Sequence, residues 1–142
     1  MPNAVVDPDK PPKRWRLPSL PSFGRRRPQK VGVIGAGGWG TAVAKSLAEN
    51  GHDVCLWALE PATVEAINQR HVNELYLPGV RLPDALVATA DPLAAATDKD
   101  ALVLAVPSPY LLGTVKRILT APNIMEGRSL IVVLTKGFIE TE

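Results

Sequence analysis

Val31-Gly32-Val33-Ile34-Gly35-Ala36-Gly37-Gly38-Trp39-Gly40 is the stretch whose reading decides the fold. A short β-branched run passes directly into G-x-G-x-x-G, with glycines at Gly35, Gly37 and Gly40, and an amphipathic segment from Thr41 to Asn50 follows. Strand, glycine loop and helix in that order are what a dinucleotide pyrophosphate requires. Gly35 permits a tight turn out of the strand. Gly37, without a Cβ, lets the backbone approach the phosphates. Gly40 lets the helix pack against the strand. The helix N-terminus offers unpaired N–H groups and a partial positive charge to an anion. A glycine-rich turn with no ligand is the alternative reading, and the flanking strand and helix weigh against it.

Outward from this loop the chain alternates strand-like and helix-like segments. Val31–Ile34 is read as the first strand and Trp39–Asn50 as the first helix, stopped by Asn50-Gly51. Asp53–Leu59 follows as a strand and Ala62–Arg70 as a helix opened by Pro61. Asn73–Pro83 reads as a loop with a turn at Pro78-Gly79. Leu86–Thr89 is a short strand, and Asp91-Pro92 caps a short helix reaching about Thr97. Ala101–Val106 is an apolar run suited to a strand buried on both faces of a parallel sheet. Ser108-Pro109 repeats the cap-then-proline device ahead of a helix, Tyr110–Leu119, with apolar residues at 111, 112, 115, 118 and 119. Ser129–Thr135 is a fifth strand, ended by Lys136-Gly137. The expected fold is therefore α/β, a Rossmann-type doubly wound, mostly parallel sheet. Ligands of such sheets bind beyond the carboxyl ends of the strands, where the strand order reverses. Gly35–Gly40, Val106-Pro107-Ser108 and Lys136-Gly137 all fall at such ends.

The chain of 142 residues is long enough for one sizeable core. It has no apolar run of membrane-spanning length and no signal-peptide pattern. The single cysteine, Cys55, excludes an internal disulfide and fits a reducing compartment, so the expected location is cytoplasmic. Cys55 lies in an apolar run and is read as buried and inert. His52 and His71 stand apart in sequence and are read as surface or loop residues, and no Cys/His cluster has metal-ligand spacing.

The net charge of +2 hides an asymmetry. Residues 1–30 carry eight of the 16 Lys and Arg against only Asp7 and Asp9, so the basic character belongs to the N-terminal segment and the remainder is acidic. Residues 1–29 also hold half of the 14 prolines, which blocks helix and central strand and predicts a disordered basic tail ahead of a domain at 30–142. Trp15, Leu17, Leu20 and Phe23, interleaved with basic residues, would suit an anionic surface. A solvated tail is the favoured reading, and no nucleic acid or membrane partner is expected. Organelle targeting by the tail stays open, with Asp7, Asp9 and the prolines against it.

Several spaced motifs together resemble one family. Gly35-Ala36-Gly37-Gly38-Trp39-Gly40-Thr41-Ala42, with a tryptophan inside the loop, resembles the nucleotide loop of glycerol-3-phosphate dehydrogenases that use nicotinamide cofactors. Asn50 to Trp57 resembles their second strand. Ile67-Asn68, His71, Asn73, Tyr76-Leu77-Pro78-Gly79 and Leu82-Pro83 resemble the loop that follows. Val106-Pro107-Ser108 and Thr135-Lys136-Gly137 complete the set, which runs from Lys30 to about Glu140.

The resemblance implies reversible hydride transfer between NAD(P)H and dihydroxyacetone phosphate, giving sn-glycerol 3-phosphate. It implies that Gly35, Ala36, Gly37, Gly38, Trp39 and Gly40 hold the pyrophosphate and that Leu59 flanks the adenosine end. Tyr110 matches a position near the cofactor. Lys136 matches a lysine that contacts substrate and the nicotinamide end. The residues themselves agree for Lys136, because an ammonium at a strand's carboxyl end can reach into the cleft and meet an anion. Glu60 lies 20 residues after Gly40 and could accept the ribose 2′-OH of NAD. Some family members carry Arg or His at the positions of Leu59 and Glu60, and their absence here tilts the expected cofactor to NAD, with NADP left open. A helix-start carboxylate is the plainer reading of Glu60.

The family carries a second, helical domain with a catalytic lysine. The chain ends at Glu142, before such a domain could begin, so no catalytic residue is assigned within it. The expectation is the nucleotide-binding half of the enzyme, a fragment inactive alone, with a homodimer compatible. Two rivals stay open. One is a free-standing dinucleotide-binding module. The other is the nucleotide domain of a different hydroxy-acid or sugar dehydrogenase. The sequence downstream of Glu142 in the parent gene would separate the three.

Overall fold

The structure, a computed structural model, describes residues 27–136. The expected tail falls almost wholly outside the described residues, as does Gly137. Within them the chain runs β1 (Lys30–Ile34), α1 (Gly38–Glu49), β2 (Asp53–Trp57), α2 (Pro61–Glu65), a single π-helical segment (Ala66–Arg70), β3 (Val72–Asn73), β4 (Leu77–Arg81), β5 (Val87–Thr89), α3 (Pro92–Ala96), β6 (Ala101–Leu104), α4 (Ser108–Ile118), α5 (Pro122–Met125) and β7 (Leu130–Val133).

Five strands form one parallel sheet in the order β5-β2-β1-β6-β7. The order reverses between β1 and β6, which is the switch point of a doubly wound fold. Side chains alternate between two apolar clusters, as the strand period of two requires. Val31, Val33, Val54, Leu56 and Val103 share one cluster with Ala44 of α1. Ile34, Trp57, Leu102 and Leu104 share the other with Ala95 of α3 and Ile118 of α4. A strand filled on both sides reads as an unbroken apolar run, and this is why Ala101–Leu104 shows no alternation in sequence.

Several expectations are corrected. Asn73–Pro83 is not a loop throughout. β3 and β4 pair antiparallel across Glu74-Leu75-Tyr76, and Leu82 N–H donates to the His71 carbonyl at 2.8 Å. Pro78 and Gly79 hide that strand, but a two-stranded edge needs few ladder donors. The second helix changes to π geometry after Glu65 and stops where His71 turns left-handed at φ 55°. Strands β2 and β6 end at Trp57 and Leu104, two residues short of the apolar runs in each case. Ser108 is not a cap. Pro107 holds that position, and the Ser108 hydroxyl instead donates to the Lys136 carbonyl. The short helix α5 was not read from the sequence. Two of the five residues of the apolar stripe, Leu112 and Leu119, are exposed. Cys55 is only part-buried, packed beside the second cluster, and burial pushes its thiol pKa up. Asp91 does cap α3, its carboxylate accepting from Leu93 N–H at 2.9 Å.

Candidate functional site: a cleft at the switch point

The carboxyl ends of β1, β2, β6 and β7 open into a cleft of ≈ 1070 Å³. The chain enters it from β1 through Gly35, whose φ of +118° excludes ordinary side chains. A Cβ there would also lie 2.7 Å from the Ala105 carbonyl oxygen, on the segment leaving β6. The turn therefore brings the loop close against the neighbouring strand end. Gly40 serves contact of a different kind. A Cβ at Gly40 would stand 2.0 Å from the Gly35 carbonyl oxygen, so only glycine lets α1 start this close to β1.

Gly37 differs from both. Its backbone is extended, with φ −64° and ψ 177°, and a Cβ there would meet nothing within 4 Å. The protein leaves that space clear, on the lining of the cleft. Gly37 is also the N-cap of α1, and it provides no side-chain cap to the first N–H groups of a helix 12 residues long. No acidic residue stands in the first turn. Uncapped donors, helix dipole and cleared space together form an anion cradle. These residues fit a dinucleotide pyrophosphate.

All the residues nominated from sequence line this one cleft: the loop from Gly35 through Ala36, Gly38, Trp39 and Gly40, with Leu59, Glu60, Tyr110 and Lys136 at its other walls. Trp39, Leu59 and Tyr110 are each about two-thirds exposed, which leaves broad apolar and aromatic faces at the rim. Such faces accept flat or apolar ligand parts. Lys136 is set at the mouth by two contacts between the strand ends. The Ser108 hydroxyl holds its carbonyl, and the Thr135 hydroxyl donates to the Val106 carbonyl at 2.8 Å.

Sequence reasoning missed four contributors. Trp57 forms cleft wall, its indole N–H donating to the Ala90 carbonyl at 3.0 Å. Arg117 of α4 lies over the Trp57 ring at 5.6 Å and brings a cation to the same cleft. Their pairing spans two elements, so no local pattern announces it. Tyr76, between β3 and β4, donates its hydroxyl to Glu60 at 2.7 Å, and Glu60 holds that phenol's pKa above its ordinary value.

The fourth is Asn73, 1% exposed. Its amide donates to the Ala36 carbonyl at 3.0 Å and to the Thr41 hydroxyl at 2.8 Å, while its oxygen accepts from Tyr76 N–H at 3.2 Å. Thr41, fully buried, in turn donates to Ala36. This network bolts the β3–β4 hairpin to the glycine loop. Asn73→Ala breaks two buried bonds and one part-buried bond at once and leaves Tyr76 N–H without that acceptor. It is expected to destabilise the chain by about 2–4 kcal/mol, read from urea unfolding.

A glycine loop at the switch point of a doubly wound parallel sheet defines a Rossmann-like domain. The chain belongs to the NAD-dependent glycerol-3-phosphate dehydrogenase family. The family's sequence model for the "NAD-dependent glycerol-3-phosphate dehydrogenase N-terminus" matches residues 30–142. The chain is similar to the glycerol-3-phosphate dehydrogenase [NAD(P)+] of Treponema pallidum, 44% identical over 117 residues, covering 77% of this chain and 33% of that protein. It is similar to the enzyme of the same name from Stenotrophomonas maltophilia, 48% identical over 109 residues, covering 77% of this chain and 31% of that protein. The solved glycerol-3-phosphate dehydrogenase of Plasmodium falciparum superposes with a TM-score of 0.71 at 32% identity, over 81% of this chain and 34% of that one. The chain thus spans about a third of the length of the curated relatives it matches. Among the described residues, no helix is long and apolar enough to cross a membrane.

Proposed function

We propose that residues 30–142 form a nucleotide-binding domain that takes NAD(H) and serves hydride transfer between NAD(P)H and dihydroxyacetone phosphate or sn-glycerol 3-phosphate. The observation that carries this reading is the cradle at Gly37: uncapped helix donors facing a space kept free of protein atoms. When bound, the nicotinamide supplies the hydride chemistry. The chain's own residues bind and orient. Gly35 to Gly40 receive the pyrophosphate. Leu59 flanks the adenosine, and Tyr110 covers the cofactor from α4. Lys136, a compact ammonium at the sheet's carboxyl edge, attracts an anionic substrate toward the nicotinamide end.

Glu60 supports NAD over NADP. Its carboxylate accepts a hydrogen bond from a ribose 2′-OH and repels a 2′-phosphate. Arg117, the cation on the α4 wall, already lies against Trp57. NADH is therefore expected to bind the 142-residue chain about tenfold more tightly than NADPH, the equivalent of about 1.4 kcal/mol. Fluorescence titration of both reduced cofactors tests it. Tighter binding of NADPH reverses the preference, and binding of neither removes the cofactor reading altogether.

A further inference from the structure

We infer that Tyr76 is a specificity-determining residue: its hydroxyl holds the Glu60 carboxylate in place for an adenosine ribose with a free 2′-OH and against one bearing a 2′-phosphate. This rests on the cofactor reading above.

Glu60 needs a holder. It precedes α2 at the N-cap position, yet its side chain makes no capping bond to that helix. A glutamate so placed, part-exposed, is free to sample its rotamers in water. The bond from the Tyr76 hydroxyl at 2.7 Å removes that freedom. It occupies Oε1 and leaves Oε2 as a second acceptor on a residue that lines the cleft. One donor already on the carboxylate does not neutralise it, so a 2′-phosphate would meet a fixed negative charge.

Tyr76 is itself fixed, and from the pyrophosphate side. Its N–H donates to Asn73, the residue bolted to Ala36 and Thr41. Its carbonyl oxygen sits 2.8 Å from where a Cβ on Gly38 would stand. The glycine at 38, which the G-x-G-x-x-G pattern does not demand, therefore makes room for the Tyr76 backbone. One short hairpin thus touches the loop that receives the pyrophosphate and the carboxylate that meets the ribose. The distance between those two contacts is set by protein and not by the cofactor. The raised phenol pKa keeps Tyr76 a donor through neutral and mildly alkaline pH.

The test is Tyr76→Phe in the 142-residue chain, which keeps the ring and deletes the hydroxyl. The Kd for NADH is expected to rise about three- to tenfold while that for NADPH stays level or falls, so the preference for NADH shrinks by at least that factor. The melting temperature should hold, because the lost bond is exposed. Glu60→Ala should give the same loss of preference, and adding Tyr76→Phe to it should change the ratio less than about twofold. A second readout needs no cofactor. In a Tyr110→Phe background Tyr76 is the sole tyrosine, and its ultraviolet titration should move to lower pH on Glu60→Ala. Equal shifts of both Kd values, additive single mutants or an unmoved phenol titration each overturn the inference while NADH still binds. A parent chain that binds neither cofactor overturns the cofactor reading, and this inference with it.

Discussion

Gly37→Val is expected to leave the fold intact and weaken NADH binding at least about a hundredfold. The first half follows from geometry. The Gly37 backbone lies in an extended region that valine adopts readily, and its Cβ would meet no protein atom within 4 Å. Valine is a poorer N-cap than glycine, so the melting temperature should fall by no more than about 8 °C, the range of a substitution costing about 1 kcal/mol. The second half follows from what the space is for. Two methyl groups at the cap of α1 would fill the cradle and keep an anion away from the first N–H groups. Each charge-assisted bond lost there is worth about 1.5–3 kcal/mol, so losing two exceeds a hundredfold.

Gly40→Ala is the contrast. Its single methyl group would stand 2.0 Å from the Gly35 carbonyl oxygen and 3.2 Å from the Ala105 side chain, so β1 and α1 must separate. That overpacking is expected to cost about 3 kcal/mol or more, and binding falls only because the fold does. Thermal melts and NADH titrations on the two variants separate a ligand glycine from a packing glycine. A folded Gly37→Val chain that binds NADH like the parent would show that the loop does not hold the pyrophosphate.

The glycines of this loop also show what was legible in the chain before its structure. A motif written in local backbone demands, such as Gly35 and Gly40, is visible as letters at fixed spacing. So is the alternation of apolar runs and caps that yields five parallel strands. The ends of those runs misled for a physical reason. Leu59 lines the cleft and Val106 belongs to the second apolar cluster, and both extend the run past the last paired residues, Trp57 and Leu104. In the sequence Tyr76 and Asn73 stand out only as parts of a family resemblance. Their work depends on partners at Glu60 and at Ala36 and Thr41, and Pro78-Gly79 masks the hairpin that carries them. Arg117 needed the fold to reach Trp57, since no spacing rule links the last turn of a helix to the end of a strand 60 residues earlier. Residues nominated for their own chemistry or backbone could be found. Residues that act by holding another residue could not.

The 142-residue chain is expected to bind NADH yet show no measurable oxidation of it by dihydroxyacetone phosphate. Reducing a ketone requires a proton donor beside the developing alkoxide, and such help is typically worth about a hundred- to ten-thousandfold. It also requires the substrate held against the nicotinamide with water excluded, which contributes more. Among the described residues, the titratable side chains lining the cleft are Glu60, Tyr76, Tyr110, Arg117 and Lys136. Glu60 and Tyr76 are bonded to each other, and Arg117 lies on Trp57. Lys136 and Tyr110 remain, and Tyr110 is mostly exposed at the rim. One ammonium can attract the substrate's phosphate or donate beside its carbonyl, but it cannot do both. At the sheet's β7 edge, Leu130, Ile131 and Val133 also stand exposed, an apolar surface of the kind that another domain or chain covers. The decisive assay follows NADH absorbance with dihydroxyacetone phosphate on the purified chain. Turnover of roughly 1 per second or faster would be an enzyme's ordinary rate. It would mean that Lys136 and its neighbours suffice for both substrate grip and proton transfer, and the division of labour argued here would be wrong.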